Sequence, residues 1–491
     1  MIENERNLID YKFLTVASIV GLLNSFFYSN FSVMLLLLVF EIVTLLFCMY
    51  NKDWVGYLNF YLIFLCFSLE SATYVGSDVF YGFKNFRIAG LNVAVWMLFP
   101  LLIKALLDFQ WQRKNPSPLI RKLLFRLFLF TILGVFWGCI NYLLDDNGFA
   151  SKEGSVGVFI NILYTFSLPI IQIIAVSWVV LTNQNKTYEI KKSLFSVIPA
   201  LALVFLACLI FHNYGNRGGL SSLQVSEVYF VTFVAIIMIV YPQIDFKSKC
   251  ILAISGLIIL ILSLTFNTNG KIIIASYLIP VVMFLIAGKL GVKSHTIVIS
   301  IIVVPLIAIF LFSHLEKQKN NILLSEKNKQ VFGLLNVSSE NWFDNIPSSP
   351  KMRVTEFINI SSELIEKKMI LFGKGFAGTI KDNGGFFLDL SESSFSKWEL
   401  ELGAYYSVHE SINCFFLVGG LFGLGLLFSI LFSLIRIIHK SPWLIIGFFW
   451  ILLFYNYHLT IAIYGIVALI IGINEAESNQ QSSIPKIEPC K

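Results

Sequence analysis

The chain has 491 residues, of which 57% are hydrophobic and only 13% are charged, and its mean hydropathy is +0.77. Water could not solvate so apolar a surface, so a soluble globular protein is excluded. The net charge of +6 is modest and gives no support for nucleic-acid binding.

Apolar runs of the length that a bilayer-spanning helix needs, about 20 residues, recur from residue 13 to residue 474. We therefore predict an all-α, polytopic integral membrane protein. A transmembrane β-barrel is excluded, because its strands are about 10 residues long and alternate apolar with polar residues. Counting the runs between polar breaks predicts about fourteen transmembrane helices. In chain order these are 13–29, 32–50, 56–75, 88–107, 124–144, 157–182, 193–212, 225–241, 250–266, 271–288, 296–313, 412–435, 442–457 and 459–474.

The spans divide the chain into four predicted regions. Residues 1–313 hold spans 1–11, residues 314–411 form a large polar loop, residues 412–474 hold spans 12–14, and residues 475–491 are a tail. A loop of this length is expected to be folded and functional. Within it, Pro350 and apolar residues at roughly helical spacing predict an amphipathic helix from about 351 to 369. The apolar residues are Val354, Phe357, Ile358, Ile360, Leu364 and Ile365.

Lys and Arg residues set the expected orientation of the chain. With a cytoplasmic N-terminus, the short loops on the inner side carry most of these cations. The opposite short loops hold only Lys84, Arg87, Lys152, Arg217 and Lys271. We therefore predict that both termini are cytoplasmic and that the 314–411 loop lies on the extracytoplasmic face of the membrane. The tail of residues 475–491 is then cytoplasmic.

His409 is the histidine whose context is most informative, because it lies where the large loop re-enters the membrane, in YYSVHESIN. One interpretation is an interfacial histidine, which is common at such boundaries. The other is a general base near neutral pH, because an unperturbed imidazole accepts a proton there. Glu410 follows it directly and is predicted to support it.

Three cations on the predicted outer face, Arg353, Arg217 and Lys271, are candidates for binding an anionic substrate. Arg353 begins the loop helix and offers a fork of donors suited to phosphate, although a solvated charge at a helix end is the simpler interpretation. Together with His409 they would suit an anionic, membrane-anchored substrate. The seven cysteines are scattered, with neither a disulfide framework nor a metal-ligand spacing, so no metal and no cofactor is predicted.

Other polar features are interpreted as structural. Glu41, Glu70 and Lys104 fall within apolar runs and could serve proton or ion coupling, but so many spans bury enough interior for paired polar groups. GKGFAG at 373–378 matches a dinucleotide-binding pattern but follows a helix instead of a strand. Its glycines are therefore expected to permit a tight turn.

In the large loop and the span after it, the sequence resembles the bacterial O-antigen polymerase and O-antigen ligase superfamily of polytopic glycosyltransferases. The matching pattern is Arg353 before a short helix, a G-x-G turn at Gly373–Gly375, and His409 at the start of a span that continues into LVGGLFGLG. Weaker matches are RGGLSS at Arg217 and NTNGKIII at Lys271, where the family usually has arginine. The resemblance covers mainly residues 210–430.

The resemblance implies metal-independent, inverting transfer of a glycan from a polyprenyl-diphosphate-linked donor to a sugar hydroxyl, with His409 as base and the cations on the diphosphate. The leading interpretation is a polymerase of O-antigen or capsule repeat units, whose acceptor is another lipid-linked unit. A chain-length regulator protein is a possible partner. Two alternatives stay open: a ligase that transfers the glycan to lipid A-core, and a flippase or other transporter of lipid-linked oligosaccharides.

Overall fold

The computed structural model describes residues 8–27, 30–68, 87–88, 91–112, 118–211, 245–266, 348–383, 385, 387, 395–438 and 461–483. Helices dominate these ranges. In chain order they are α1 (Tyr11–Phe27), α2 (Phe31–Tyr50), α3 (Trp54–Ile63), α4 (Val93–Gln112), α5 (Pro118–Leu143), α6 (Ser155–Thr182), α7 (Thr187–Ile210), α8 (Phe246–Phe266), α9 (Ser348–Glu366), α10 (Lys397–Leu402), α11 (Ser411–Ile438) and α12 (Ile461–Ser483). A π-helical turn, Phe64–Ser68, extends α3.

The described residues also form two 3-10 turns, Asp146–Gly148 and Gln184–Lys186, and two short antiparallel β-ladders. Strands β1 (Arg87–Ile88) and β2 (Leu91–Asn92) form the first. Strands β3 (Ile380–Lys381) and β4 (Ala404–Tyr405) form the second, with Ile380 opposite Tyr405. The second ladder ties the segment after α9 to the segment before α11, so it brings the two ends of the described loop together.

Five of the described helical segments are long and apolar enough to cross a membrane: Phe31–Tyr50, Arg121–Leu143, Ser155–Thr182, Gln184–Ile210 and Ser411–Ser433. Tyr11–Phe27 and Trp54–Ser68 are shorter apolar helices. Large apolar side chains are exposed along these segments, for example Leu36, Phe47 and Phe128. The architecture therefore fits an all-α membrane protein.

The predicted count of about fourteen spans is not matched by the part of the chain that the structure describes, where five segments qualify. One reason is that the predicted spans 225–241, 271–288, 296–313 and 442–457 lie outside the described residues. Another is that apolar runs and helices do not have the same limits. The last predicted span ends at residue 474, whereas α12 continues as a polar helix to Ser483.

Two of the ionisable residues that fall within predicted spans have local partners. Glu41 on α2 is fully buried and accepts a hydrogen bond from the Ser68 hydroxyl. Lys104 on α4 forms an ion pair with Asp108 one turn later. These contacts agree with a structural interpretation of both residues. Glu70 lies outside the described residues.

The helix α11 is interrupted at Gly420, whose φ of 59° and ψ of −148° are not helical. Only glycine adopts this backbone conformation without strain. The interruption exposes backbone groups, and the segment after α9 pairs with them. The amides of Lys374 and Gly375 donate to the carbonyls of Leu417 and Val418, at 2.8 and 3.0 Å. In the reverse direction, the amides of Leu421 and Phe422 donate to the carbonyls of Ile370 and Leu371, at 2.8 and 3.0 Å.

The glycines at 373–378 form a turn, as the sequence predicts, and they also permit a close approach between backbones, which it does not predict. Gly373 and Gly375 both have positive φ, 67° and 73°. A Cβ on Gly375 would collide with the backbone of Gly138 in α5, and one on Gly373 would lie 2.6 Å from the amide nitrogen of Gly419. The amide of Phe376 also donates to the Gly134 carbonyl of α5, at 2.7 Å. The turn therefore packs between α5 and α11.

Candidate active site

The loop helix α9 presents an unusually polar buried face. The amphipathic helix predicted at 351–369 exists, but its apolar residues are split between two faces. Ile360 and Leu364 are fully buried, whereas Phe357, Ile358 and Ile365 are exposed. Buried polar residues occupy the inner face in their place: Thr355, Glu356, Asn359 and Glu363. Polar groups that lose water need partners, and three of these four have hydrogen-bonded side chains that organise the site.

Glu356 receives three donors. Its Oε1 contacts Nδ1 of His409 in a short hydrogen-bonded pair, and its Oε2 accepts from the His409 backbone amide at 3.0 Å. The side-chain amide of Asn413 also donates to Oε2, at 2.9 Å. Glu356 is fully buried and His409 is only 4% exposed. Because a carboxylate only accepts, Nδ1 carries the hydrogen, and the basic lone pair of the neutral ring is on Nε2.

Asn413 joins the pair to the backbone of α9. Its side-chain amide also donates to the Arg353 carbonyl, at 3.0 Å. Asn413 lies in the first turn of α11, four residues after His409, and both side chains contact Glu356 of α9. The ring of Phe395 packs edge-on against the imidazole, with 5.8 Å between the ring centroids. The imidazole is therefore held in one orientation and one tautomer.

Arg353 and Glu410 form an ion pair at the edge of this buried centre, through Nε of Arg353. Their side chains are 29% and 27% exposed, so this pair is more exposed than the Glu356–His409 pair. Burial raises the pKa of the Glu410 carboxyl above its ordinary value, while Arg353 acts in the opposite direction. An accessible guanidinium thus lies one helical turn from the residue that holds the imidazole.

The segment leading to His409 is fixed by Glu399. Ser396 and Glu399 form a capping box at the start of α10. The fully buried Glu399 carboxylate also accepts the backbone amides of Tyr406 and Ser407, at 2.9 and 2.8 Å. These contacts, with the β3–β4 ladder, determine the course of the chain into His409.

A second buried charge cluster lies around Lys374, in the glycine-rich turn. Its ammonium group is fully buried, donates to Glu363 at 2.8 Å and to the Thr379 carbonyl at 2.6 Å, and forms an ion pair with Asp146. Asn147 donates to Glu363 at 3.1 Å. Burial alone would raise the pKa of Glu363, but Lys374 and Asn147 outweigh it and hold that pKa below its ordinary value. Through these contacts the cluster connects α9 with the turn between α5 and α6.

The structure brings together three of the residues singled out from the sequence: His409, Arg353 and Glu410. Arg217 and Lys271 lie outside the described residues, so their predicted diphosphate contacts stay predictions. Among the described residues, no group of three or more His, Cys, Asp or Glu side chains is arranged to hold a metal ion. The prediction of metal-independent chemistry is not tested by this observation.

Sequence reasoning missed Glu356, Asn413, Glu399 and the Lys374 cluster. Two signals were available. Ser396-x-x-Glu399 is a capping-box pattern. Glu356 is one turn from Arg353, and Asn413 is one turn from His409, so each could share a face with a residue already selected.

A comparison of the chain with protein-family models, with curated protein sequences and with solved structures finds no match.

Proposed function

We propose that this chain is a membrane glycosyltransferase that polymerises polysaccharide repeat units, of O-antigen or capsule, from a polyprenyl-diphosphate-linked donor. The observation that carries the proposal is the buried Glu356–His409 pair beside the accessible Arg353, where the loop joins a candidate membrane span. A carboxylate that orients a histidine is a recurrent arrangement for a general base. A guanidinium close by suits a substrate whose leaving group is an anion.

In the proposed reaction, Nε2 of His409 takes the proton from a hydroxyl of the acceptor sugar. The acceptor oxygen then attacks the anomeric carbon of the donor from the face opposite the diphosphate. A new carbon–oxygen bond forms as the bond to the diphosphate breaks, so the configuration at that carbon is inverted. The polyprenyl diphosphate leaves with the bonding electron pair, and the proton stays on the imidazole until solvent or the diphosphate removes it.

Two carboxylates have different tasks in this proposal. Glu356 stabilises the imidazolium that forms, because its charge lies against Nδ1. Glu410 holds the guanidinium of Arg353 at the rim until a substrate arrives. A diphosphate carries more negative charge than one carboxylate and accepts two parallel hydrogen bonds, so it can replace Glu410 on Arg353.

The membrane arrangement belongs to the same proposal. We place about fourteen spans in an inner membrane, with both termini in the cytoplasm and the 314–411 loop in the periplasm. The asymmetry of Lys and Arg between the short loops supports this orientation. Arg217 and Lys271 would then lie on the same face as the site. The acceptor is a second lipid-linked repeat unit, and a chain-length regulator is the expected protein partner.

The proposal is tested with purified protein in liposomes that contain lipid-linked repeat units. We expect His409→Ala to lower the rate of polymer formation about 100-fold or more and His439→Ala, a histidine near a predicted span end, to preserve it. A near-normal rate of polymer formation in His409→Ala would overturn the role of His409 as base. Transfer to lipid A-core but not to a second lipid-linked unit would indicate a ligase, and movement of lipid-linked glycan across the bilayer without a new glycosidic bond would indicate a transporter.

A further inference from the structure

Residues 369–376, the segment after α9, reach unexpectedly far along two candidate membrane spans. Its backbone hydrogen bonds go to α11 on both sides of Gly420 and to Gly134 of α5. These partners are not at the ends of their helices. Gly420 comes nine residues after the first residue of α11, and Gly134 comes nine residues before the last residue of α5.

The depth follows from helix geometry. Nine residues of α-helix span about 14 Å, at about 1.5 Å per residue. The hydrocarbon core of a bilayer is about 30 Å thick, so this depth is about half of it. The two helices enter from the same side, because α9 contacts both the turn that follows α5, through Glu363 and Asn147, and the start of α11, through Glu356 and His409. Two independent helices thus give the same depth.

Backbone polar groups at such a depth require internal partners, because hydrocarbon offers none. The interruption at Gly420 supplies partners for four of them, the amides of Lys374 and Gly375 and the carbonyls of Ile370 and Leu371. Irregular backbone is tolerated within a membrane where protein buries it, and residues 373–376 are buried. The polar groups of Lys374 lie nearer to the ends of these helices, because its ammonium group pairs with Glu363 of α9 and with Asp146 in the turn after α5, and its carbonyl accepts from the side-chain amide of Asn141, two residues before the end of α5.

The outward side chains of the segment are apolar. Leu371 is 58% exposed and Phe372 is 49% exposed. The Phe372 ring packs against Trp137 of α5 and Phe422 of α11, with centroid distances of 6.1 and 6.4 Å. Phe422, which lies within a candidate span, is itself 42% exposed. The surface of Leu371 and Phe372 is therefore continuous with a surface that lipid would cover.

The helix α9, like the segment, exposes apolar side chains. Four of its polar residues, Thr355, Glu356, Asn359 and Glu363, are buried, whereas Phe357, Ile358 and Ile365 are exposed. A helix that lies at a membrane surface turns its apolar face to the acyl chains. We propose that residues 369–376 form a re-entrant loop inside the hydrocarbon layer, with Leu371 and Phe372 in contact with lipid acyl chains. This goes beyond the proposed function, since it places part of a loop that the sequence assigns to the aqueous phase within the bilayer.

The test is a spin-label measurement on the full chain in liposomes, with the native cysteines replaced. Labels are attached to Leu371→Cys, Phe372→Cys, Phe422→Cys as the membrane control, and Glu366→Cys, at the exposed end of α9, as the aqueous control. The collision rate of each label is measured with oxygen, which concentrates in lipid, and with a polar nickel complex. We expect the oxygen-to-nickel ratio at 371 and 372 to match that at 422 and to exceed that at 366 several-fold.

Two results would overturn the proposal. A nickel collision rate at 371 and 372 as high as at 366 would place the loop in water. Low rates with both reagents would place it against protein, either another part of the chain or a second copy. If the cysteine variants unfold, lipids with a photoreactive group in the acyl chain can be cross-linked to the unaltered protein. Adducts on Leu371 or Phe372 are expected, and adducts confined to other segments would contradict the proposal.

Discussion

Glu356 is the residue on which the geometry of the imidazole depends, because its carboxylate accepts both the ring and the backbone amide of His409. Glu356→Gln keeps the size of the side chain but removes the charge that stabilises an imidazolium. We expect the rate of glycan transfer to fall about 100-fold or more, within the range that general-base catalysis contributes. The fall should be in kcat, with KM for the lipid-linked donor little changed. The measurement is initial rates in liposomes.

Glu366→Gln is the matched control for this variant. It changes an exposed carboxylate on the same helix and should leave the rate unaltered. A merely structural role for Glu356 would reduce the amount of folded protein without changing the rate per folded molecule. Thermal unfolding of both variants distinguishes these cases. A normal kcat in folded Glu356→Gln would remove Glu356 from the mechanism.

The raised pKa of the Glu410 carboxyl predicts a specific pH dependence of the protein's stability. Burial raises the pKa of its carboxyl from 4.5 in spite of Arg353, so between 4.5 and the raised value the folded state binds more protons than the unfolded state. The contribution of this group to stability is then fully present below pH 4.5 and is lost as the pH rises through the raised pKa. We expect the unaltered protein to gain thermal stability relative to Glu410→Gln as the pH falls from neutral towards 4.5.

The control for Glu410 is Glu401→Gln, which removes a more exposed carboxylate that pairs with Lys152 at 3.3 Å. It corrects for the general effect of one lost negative charge. A difference between the unaltered protein and Glu410→Gln that stays constant with pH, or that shrinks as the pH falls, would contradict the prediction.

At the scale of elements, the Lys374 cluster joins α9 to the turn between α5 and α6. Lys374→Met keeps the length of the side chain but leaves the Glu363 and Asp146 carboxylates buried without their cation. Removing one partner of a buried ion pair costs about 3–5 kcal/mol. Lys367→Met removes a half-exposed partner of Asp146 at 3.5 Å and should cost less than about 1 kcal/mol. Equal unfolding temperatures for the two variants would show that the cluster does not stabilise the junction.

The packing of the glycine-rich turn at 373–378 between α5 and α11 leads to a second prediction at the scale of elements. Gly375 and Gly385 both have positive φ, 73° and 67°, so alanine is strained at either position by about 1 kcal/mol. Only at Gly375 would the new methyl group collide with the backbone of α5, whereas nothing lies within 4 Å of a Cβ at Gly385. Gly375→Ala should therefore lower the unfolding temperature much more than Gly385→Ala. Similar losses would mean that the two backbones can separate at little cost.

For the whole molecule, the sequence predicts the helices well where apolar composition alone determines them. It predicts α9 because Pro350 and the spacing of apolar residues indicate a helix. It does not predict which face of α9 is buried. In a membrane protein, apolar side chains can be exposed to lipid, so an apolar residue need not lie inside the protein. Phe357, Ile358 and Ile365 of α9 are exposed. The number of spans is less well predicted, since a hydropathy pattern does not reveal where helices end.

The site could be predicted from the sequence only in part. His409 and Glu410 stand where the large loop meets a predicted span, and Arg353 begins the predicted loop helix, so their positions mark them in the sequence. Glu356 resembles an ordinary solvated carboxylate of an amphipathic helix until the fold buries it against His409. The interruption of α11 is equally hidden, because LVGGLFGLG contains several glycines and the sequence does not indicate that Gly420 is the residue that adopts the non-helical conformation.

The central claim is that Glu356 acts through His409 in glycan transfer. It is tested most directly by a double-mutant cycle, in which the rate of polymer formation in liposomes is measured for the unaltered protein, Glu356→Gln, His409→Ala and the double variant. Residues that act as one unit are not additive. We predict that Glu356→Gln causes no further loss of rate once His409 is alanine. Losses that multiply in the double variant would show that the two residues act independently and would contradict the account.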